Sequence, residues 1–339
     1  MCIRDSILSG SRMQARLAFE VTIRSNAPKC EKDRISMTIL RTPDSAFSAL
    51  PDFPYQPHYL QIEDPDFGPL RVHYIDEGPA DAPIIVCLHS QATWSYLYRH
   101  VIPHFVEAGY RVIAPDFIGF GRSDKLADQA SYTTQRFINW LAATLTTLNV
   151  QRATGFFFDW GGMFGLPVAV DHPDMFDRLI LLNTTLPTGT KLSANLWVLG
   201  WRTYCARQKI FPQGEMVSNM THHDVSPETI TAFDSAYPDE TYKAAARALP
   251  TLIPASPWHQ ASVINKPVWG KLETWEKPVL TLFSESLAKR GLSPAAFQNR
   301  IPGASGQPHE TIPDAGFFIV EDKPHLLAEK TLKFIQSTS

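Results

Sequence analysis

Apolar and polar positions along the chain fall into two alternating rhythms. Short aliphatic and β-branched runs, RVHYID (71–76), IIVCLH (84–89), RVIAP (111–115), ATGFFF (153–158), RLILLN (178–183) and VLTLFS (279–284), are separated by longer mixed stretches. IIVCL and LILL are apolar throughout, as expected of strands covered on both faces. Residues 132–148 and 161–172 read as helices between strands, the second interrupted by Pro167. Strand and helix taking turns in this way predicts a mostly parallel, doubly wound α/β sheet with helices on both sides.

From about residue 187 to 257 the strand signal disappears, and LWVLGWRTYCARQ, ETITAFDSAY and DETYKAAARAL read as helices rich in Trp, Tyr and Ala. The expected organisation is a core in two parts, 37–186 and 258–339, with a helical cap at 187–257 inserted between strands. Such a cap would cover the C-terminal strand edge, where open α/β sheets bind ligands. Residues 1–36 show no sustained periodicity and are expected to be a non-homologous, disordered extension.

Composition narrows the class further. With 339 residues, 44% hydrophobic and 19% charged, the chain can bury a large core. A formal charge of -3, without a Lys/Arg cluster, gives no reason to expect nucleic acid as a partner. No run of about 18 apolar residues is present to span a membrane, and the N-terminus lacks an apolar segment followed by a cleavage site, so a cytoplasmic monomer is expected. Four widely separated cysteines are expected as reduced thiols, and no Cys/His spacing resembles a metal site.

The strongest chemical signal is FFFDWGG (156–162): an apolar strand ends on Asp159, and Trp160-Gly161-Gly162 opens a helix. This is the strand-turn-helix context of a nucleophile elbow. A carboxylate held there, beside the positive end of a helix, is anionic without help from a base and can attack carbon directly. A helix N-cap is the alternative role for Asp159. A second signal, HSQATWSYLYR (89–99), follows the strand IIVCLH. In this setting Gln91 and Trp160 would donate to an oxyanion or halide, and His89 reads as a structural loop histidine.

LRTPDSAF (40–47), TWSYLYR (93–99), RVIAPDFIGFGRSDK (111–125), DWGG (159–162), YPDETYKAAARALP (237–250) and IPGASGQPH (301–309) together resemble the haloalkane dehalogenases of the α/β-hydrolase superfamily. The resemblance spans about 38 to 336. It implies an α/β-hydrolase fold and a two-step reaction in which Asp159 displaces halide to form an alkyl-enzyme ester, and a histidine oriented by an acid then activates water. Trp160 would be the first halide donor and Trp201 the second, with Trp197 a weaker choice. Small apolar halogenated compounds and halide are the implied partners. No cofactor is implied, since the other reactant is water.

Against that pattern the chain departs around the presumed pocket. The loop that usually reads His-Gly-x-Pro is here His89-Ser90-Gln91-Ala92. The acid's position is Leu287, with Glu285 two residues away, and the histidine's position is Phe317, in the segment DAGFF (314–318). A phenyl ring cannot act as a general base. His309 and His325, each eight residues away, and the pair His222-His223 are poorly placed to replace it. Phe156, Phe157, Phe158, Phe317 and Phe318 are expected to add bulk at the pocket. The expected function is dehalogenase-like chemistry with an impaired hydrolytic step. The alternatives are an inactive homologue binding a small apolar ligand, and an epoxide hydrolase-like enzyme, which also uses an elbow aspartate.

Overall fold

The structure, a computed structural model, describes residues 38–190, 192–289 and 292–338. The extension expected at 1–36 lies outside the described residues.

The strands are β1 (Ile39–Leu40), β2 (His58–Asp64), β3 (Gly68–Glu77), β4 (Ile84–Leu88), β5 (Arg111–Pro115), β6 (Lys125–Leu126), β7 (Ala153–Phe158), β8 (Phe176–Leu182), β9 (Val279–Ser284) and β10 (Glu310–Ile312). Eight of them form one sheet in the order β10-β9-β8-β7-β4-β5-β3-β2, and β1 pairs with β6 separately. From β10 to β5 the pairing is parallel, while β3 runs antiparallel to β5 and to β2. β4 has β5 on one side and β7 on the other, so the strand order reverses there. Open α/β sheets bind ligands at this kind of switch point, just beyond the strand ends.

Four strands are absent from the runs read in the sequence, among them β1 and β6 with two residues each. β2, an edge strand, has exposed Gln61 and Glu63 between buried Ile62 and Asp64, so its pattern is half polar. At the other edge β10 has only three residues. The helix expected to break at Pro167 instead runs unbroken from Trp160 to Asp171. An interior proline forfeits one backbone hydrogen bond and costs about 3 kcal/mol. All residues of this helix from Trp160 to Val170 are buried, and that packing outweighs the loss.

All six residues of β7 are buried, and they take opposite faces in turn. Phe156 packs edge-on against Phe105, and Phe157 against Phe176. Space for the Phe157 ring comes from Gly155 and Gly165, where a Cβ would lie 2.6 and 2.8 Å from it. Phe158 contacts Phe317 and Phe318, with ring centroids 5.7 and 5.9 Å away. Bulk was expected at the pocket from the whole run, but Phe156 and Phe157 are taken up by Phe105 and Phe176. Of the three, Phe158 is the one that meets the DAGFF loop.

Helices Leu192–Arg207, Gln213–Met220, Pro227–Asp234 and Ala244–Leu252 lie between β8 and β9 in the chain. They are tied to the sheet by hydrogen bonds from the Gln91 amide to the Ala246 carbonyl (2.6 Å) and from the Thr42 hydroxyl to the Ala236 carbonyl (2.6 Å).

Candidate active site

Asp159 follows β7 with φ 47° and ψ -112°, a backbone conformation that costs a non-glycine residue free energy. The surroundings enforce it. The Asp159 N–H donates to the Leu182 carbonyl (3.0 Å), and its own carbonyl accepts from Gly162 N–H, Met163 N–H and the Thr184 hydroxyl at 2.9, 3.1 and 2.7 Å. The two glycines are sterically required, since a Cβ on Gly161 would lie 2.1 Å from the Leu88 carbonyl oxygen and one on Gly162 2.2 Å from Thr184 Oγ1. Asp159 stands at the N-cap of the Trp160–Asp171 helix, yet its side chain makes no capping hydrogen bond.

The carboxylate is held by other groups. β4 and β7 pair with Leu88 opposite Phe157, so the residues just beyond each strand emerge side by side. The Ser90 hydroxyl donates to Asp159 Oδ2. Burial pushes the Asp159 carboxyl up to about 7, offset in part by the Ser90 hydroxyl and the Trp160 backbone N–H. Among the described residues no histidine hydrogen-bonds to it.

Ser90 is the neighbour that sequence reasoning missed. The departure from the family's glycine was legible, but strand register alone brings the hydroxyl to the aspartate. Its main chain is fixed by Thr93 Oγ1, which accepts from Ser90 N–H (3.1 Å) and donates to its carbonyl (3.0 Å). Two residues on, Ala92 has φ 65°, which the ring of a proline forbids. The loop has therefore taken a path closed to a proline at this position. The Gln91 amide is committed to the Ala246 carbonyl of the Ala244–Leu252 helix. Trp160 is buried against Phe164, with ring centroids 5.4 Å apart. Trp201 stacks on Tyr204 of its own helix at 5.6 Å. The Trp197 side chain lies outside the described residues.

The positions expected from the resemblance to hold the histidine and the acid are filled and anchored. Phe317 packs on Phe158, donates its N–H to the Met220 carbonyl (2.7 Å) and accepts at its carbonyl from Asn183 Nδ2 (2.8 Å). The Asp322 carboxylate accepts from the backbone N–H groups of Gly316, His222 and His223 at 2.7, 2.8 and 3.1 Å, fastening this loop to the end of the Gln213–Met220 helix. A Cβ on Gly316 would lie 2.3 Å from the Met220 carbonyl oxygen, which accounts for the glycine. Leu287 is 1% exposed in the short helix Glu285–Lys289. Asn183, also unforeseen, joins β8, β9 and the Phe317 loop, accepting from Ser284 N–H at 2.8 Å.

The histidines are employed elsewhere. His89 presents Nδ1 to the Ser90 carbonyl (2.9 Å) and accepts at Nε2 from Phe117 N–H (3.0 Å), while burial pushes it down to about 4. It is a neutral structural ring, as the sequence reading expected of it. His309 spans the Thr281 N–H (3.1 Å) and the Ala304 carbonyl (2.8 Å) near the β10 edge, and His325 packs against His104 at 4.5 Å.

A mostly parallel sheet, a strained elbow on the strand next to the switch point and a helical insert between β8 and β9 together define an α/β hydrolase, and a family model described as alpha/beta hydrolase fold matches residues 83–324. The relatives narrow this class. A haloalkane dehalogenase from Psychrobacter cryohalolentis is 42% identical over 88% of this chain and 98% of its own length, and one from Mycolicibacterium paratuberculosis is 42% identical over 89% and 99%. The tetrameric haloalkane dehalogenase of Paraglaciecola agarilytica superposes with a TM-score of 0.77 at 30% identity, over 88% of this chain and 98% of that one. The chain belongs to the haloalkane dehalogenase family, a dehalogenase-like hydrolase by descent. Among the described residues no helix is long and apolar enough to cross a membrane.

Proposed function

We propose that this chain acts on carbon-halogen bonds of small apolar compounds through Asp159, forms an alkyl-enzyme ester, and hydrolyses that ester slowly or not at all. The observation that carries the proposal is the carboxylate of Asp159 on a strained strand-to-helix turn, held by Ser90 and the Trp160 N–H and without a histidine partner. The anionic form attacks the carbon bearing the halogen: a carbon-oxygen bond forms, the carbon-halogen bond breaks, and its electron pair leaves with the halide. Trp160 is proposed as a halide donor, with Trp201 of the proposed cap (187–257) or Gln91 completing the site; an indole N–H is a donor with no acceptor capacity. Phe317 and Leu287 stand where the family's base and acid would be. Loss of general-base assistance is worth about 10²–10⁴ in rate, so the ester should persist.

Exposure to 1-bromohexane followed by intact-mass spectrometry tests this. The expected result is one added hexyl group that is absent in Asp159→Asn. Repeated turnover of halide release by the purified chain would refute the impaired second step. Absence of any adduct would favour the second reading, an inactive homologue binding a small apolar ligand, for which the aromatic contact of Phe158 with Phe317 speaks. An epoxide hydrolase-like reaction is the third reading and lacks the same base. A cytoplasmic monomer remains our proposal, and sedimentation separates it from the tetramer reported for the Paraglaciecola relative.

A further inference from the structure

We propose that Ser90 is a positioning residue for Asp159: its hydroxyl holds Oδ2 and commits attack on substrate to Oδ1. This deepens the nucleophile reading above and rests on it.

The geometry assigns this task to Ser90 in three ways. Its backbone is clamped by Thr93 and by His89, so the direction of its Cα–Cβ bond is fixed. The parallel register of β4 and β7 delivers that side chain to the tip of the neighbouring strand. Ser90 is 1% exposed, and its hydroxyl donates to Asp159 Oδ2. A hydrogen bond to an oxygen occupies the lone pairs that would attack and favours the ionised carboxylate over the acid. The hydroxyl therefore has two opposed effects. It enlarges the anionic fraction near neutrality and makes the anion at Oδ2 less reactive.

The groups facing Asp159 leave Ser90 the main lever on its charge. From the β4 loop comes the Ser90 hydroxyl and from the following helix the Trp160 N–H, while the Thr184 hydroxyl binds the main-chain carbonyl rather than the carboxylate, and no charged side chain is among the causes of its shift. Attack from Oδ1 forms the carbon-oxygen bond while Ser90 keeps its proton throughout. The resulting ester carbonyl is Oδ2, and the same hydroxyl then donates to it.

Two readouts test the proposal on the full chain. Carboxyl ¹³C NMR titration, with the Asp159 resonance assigned by its loss in Asp159→Asn, reports ionisation without substrate. The rate of adduct formation with 1-bromohexane between pH 5 and 9 reports nucleophilicity. Ser90→Gly is expected to raise the NMR midpoint by about one pH unit and the high-pH alkylation plateau by roughly tenfold, since a charge-assisted hydrogen bond is being removed. Ser90→Ala gives the same direction if glycine loosens the loop, and Ser90→Thr restores both values. An unchanged midpoint and plateau in both Ser90→Gly and Ser90→Ala, with thermal unfolding as in the parent, overturns the proposal. A shifted midpoint with no adduct in any variant supports the Ser90–Asp159 bond and overturns the nucleophile reading instead.

Discussion

Asp116 and Asp159 occupy equivalent places, each the first residue beyond a parallel strand on either side of β4, Asp116 fully buried and Asp159 half-buried. Their chemistry is opposite. Asp116 accepts from Ser95 N–H (2.7 Å), Arg122 N–H (2.8 Å) and His73 Nδ1 (2.7 Å), and His73 with its hydrogen bond is foremost among the groups that hold it down to about 2 against the cost of burial. Asp159 has one hydroxyl and one backbone N–H, and burial lifts it to about 7. The number of donors thus separates a structural anion from the carboxyl we propose as the nucleophile, whose ionisation is incompletely compensated. Gly121 marks the structural site: with φ 49° it brings the loop so near that a Cβ would lie 2.0 Å from Asp116 Oδ2.

The change with the largest expected effect gives Asp159 the partner that Asp116 already has. Phe317→His with Leu287→Asp is expected to raise halide release in multiple turnover by about 10²–10⁴-fold, the value of general-base assistance. Leu287→Asp alone buries a carboxylate at a position 1% exposed and is expected to lower stability by a few kcal/mol, so the pair should also be more stable than that single variant. Silence of the double variant in a halide assay would place the remaining defect in the loop with Ser90 and Ala92.

Removing the better-served carboxylate comes next. Asp116→Ala leaves two backbone N–H groups and the His73 ring without their acceptor, and a loss of about 3–5 kcal/mol in denaturant unfolding is expected. Because Asp116 is held below its ordinary value, the stability it contributes is present above about pH 4 and is lost as pH falls toward 2. The difference between parent and variant should therefore shrink in acid.

Much of this division was legible in the sequence. The alternation of IIVCL, ATGFFF and LILL with helical stretches gave the parallel sheet, because strands buried on two faces have no polar positions to confuse the pattern. β2 was hidden for the converse reason, its exposed Gln61 and Glu63 diluting the signal, and β10 was too short to carry one. The elbow showed itself through Asp159 and the glycines behind it, since close approach to Leu88 and Thr184 admits no side chain. The partners of Asp159 were not legible in the same way. Ser90 meets it through the pairing of Leu88 with Phe157, and Met220 meets Phe317 through a contact between residues far apart in the chain. Spacing along one strand carries no information about register with the next.

The smallest of these effects reads the same contrast through pH. A carboxyl raised in the folded state binds more protons there than in the unfolded chain, so its ionisation opposes folding as pH rises from about 4 through about 7 and no further above that. Asp159→Asn keeps the shape, removes the charge, and still accepts from the Ser90 hydroxyl. Linkage alone is worth about 1.4 kcal/mol for each pH unit separating the folded and unfolded midpoints. The amide, however, gives up the charge-assisted part of that hydrogen bond and turns an N–H toward the Trp160 donor, which leaves a net gain of about 1–2 kcal/mol at pH 8. The gain should grow between pH 4 and 7, level off beyond, and vanish toward about pH 3, where the carboxyl is mostly protonated in both states of the parent. An equal gain at every pH would mean that relief of backbone strain at φ 47°, where asparagine is well tolerated, matters more than charge. No gain at any pH would mean that Asp159, like Asp116, is a compensated anion, and the contrast between the two strand ends would be lost.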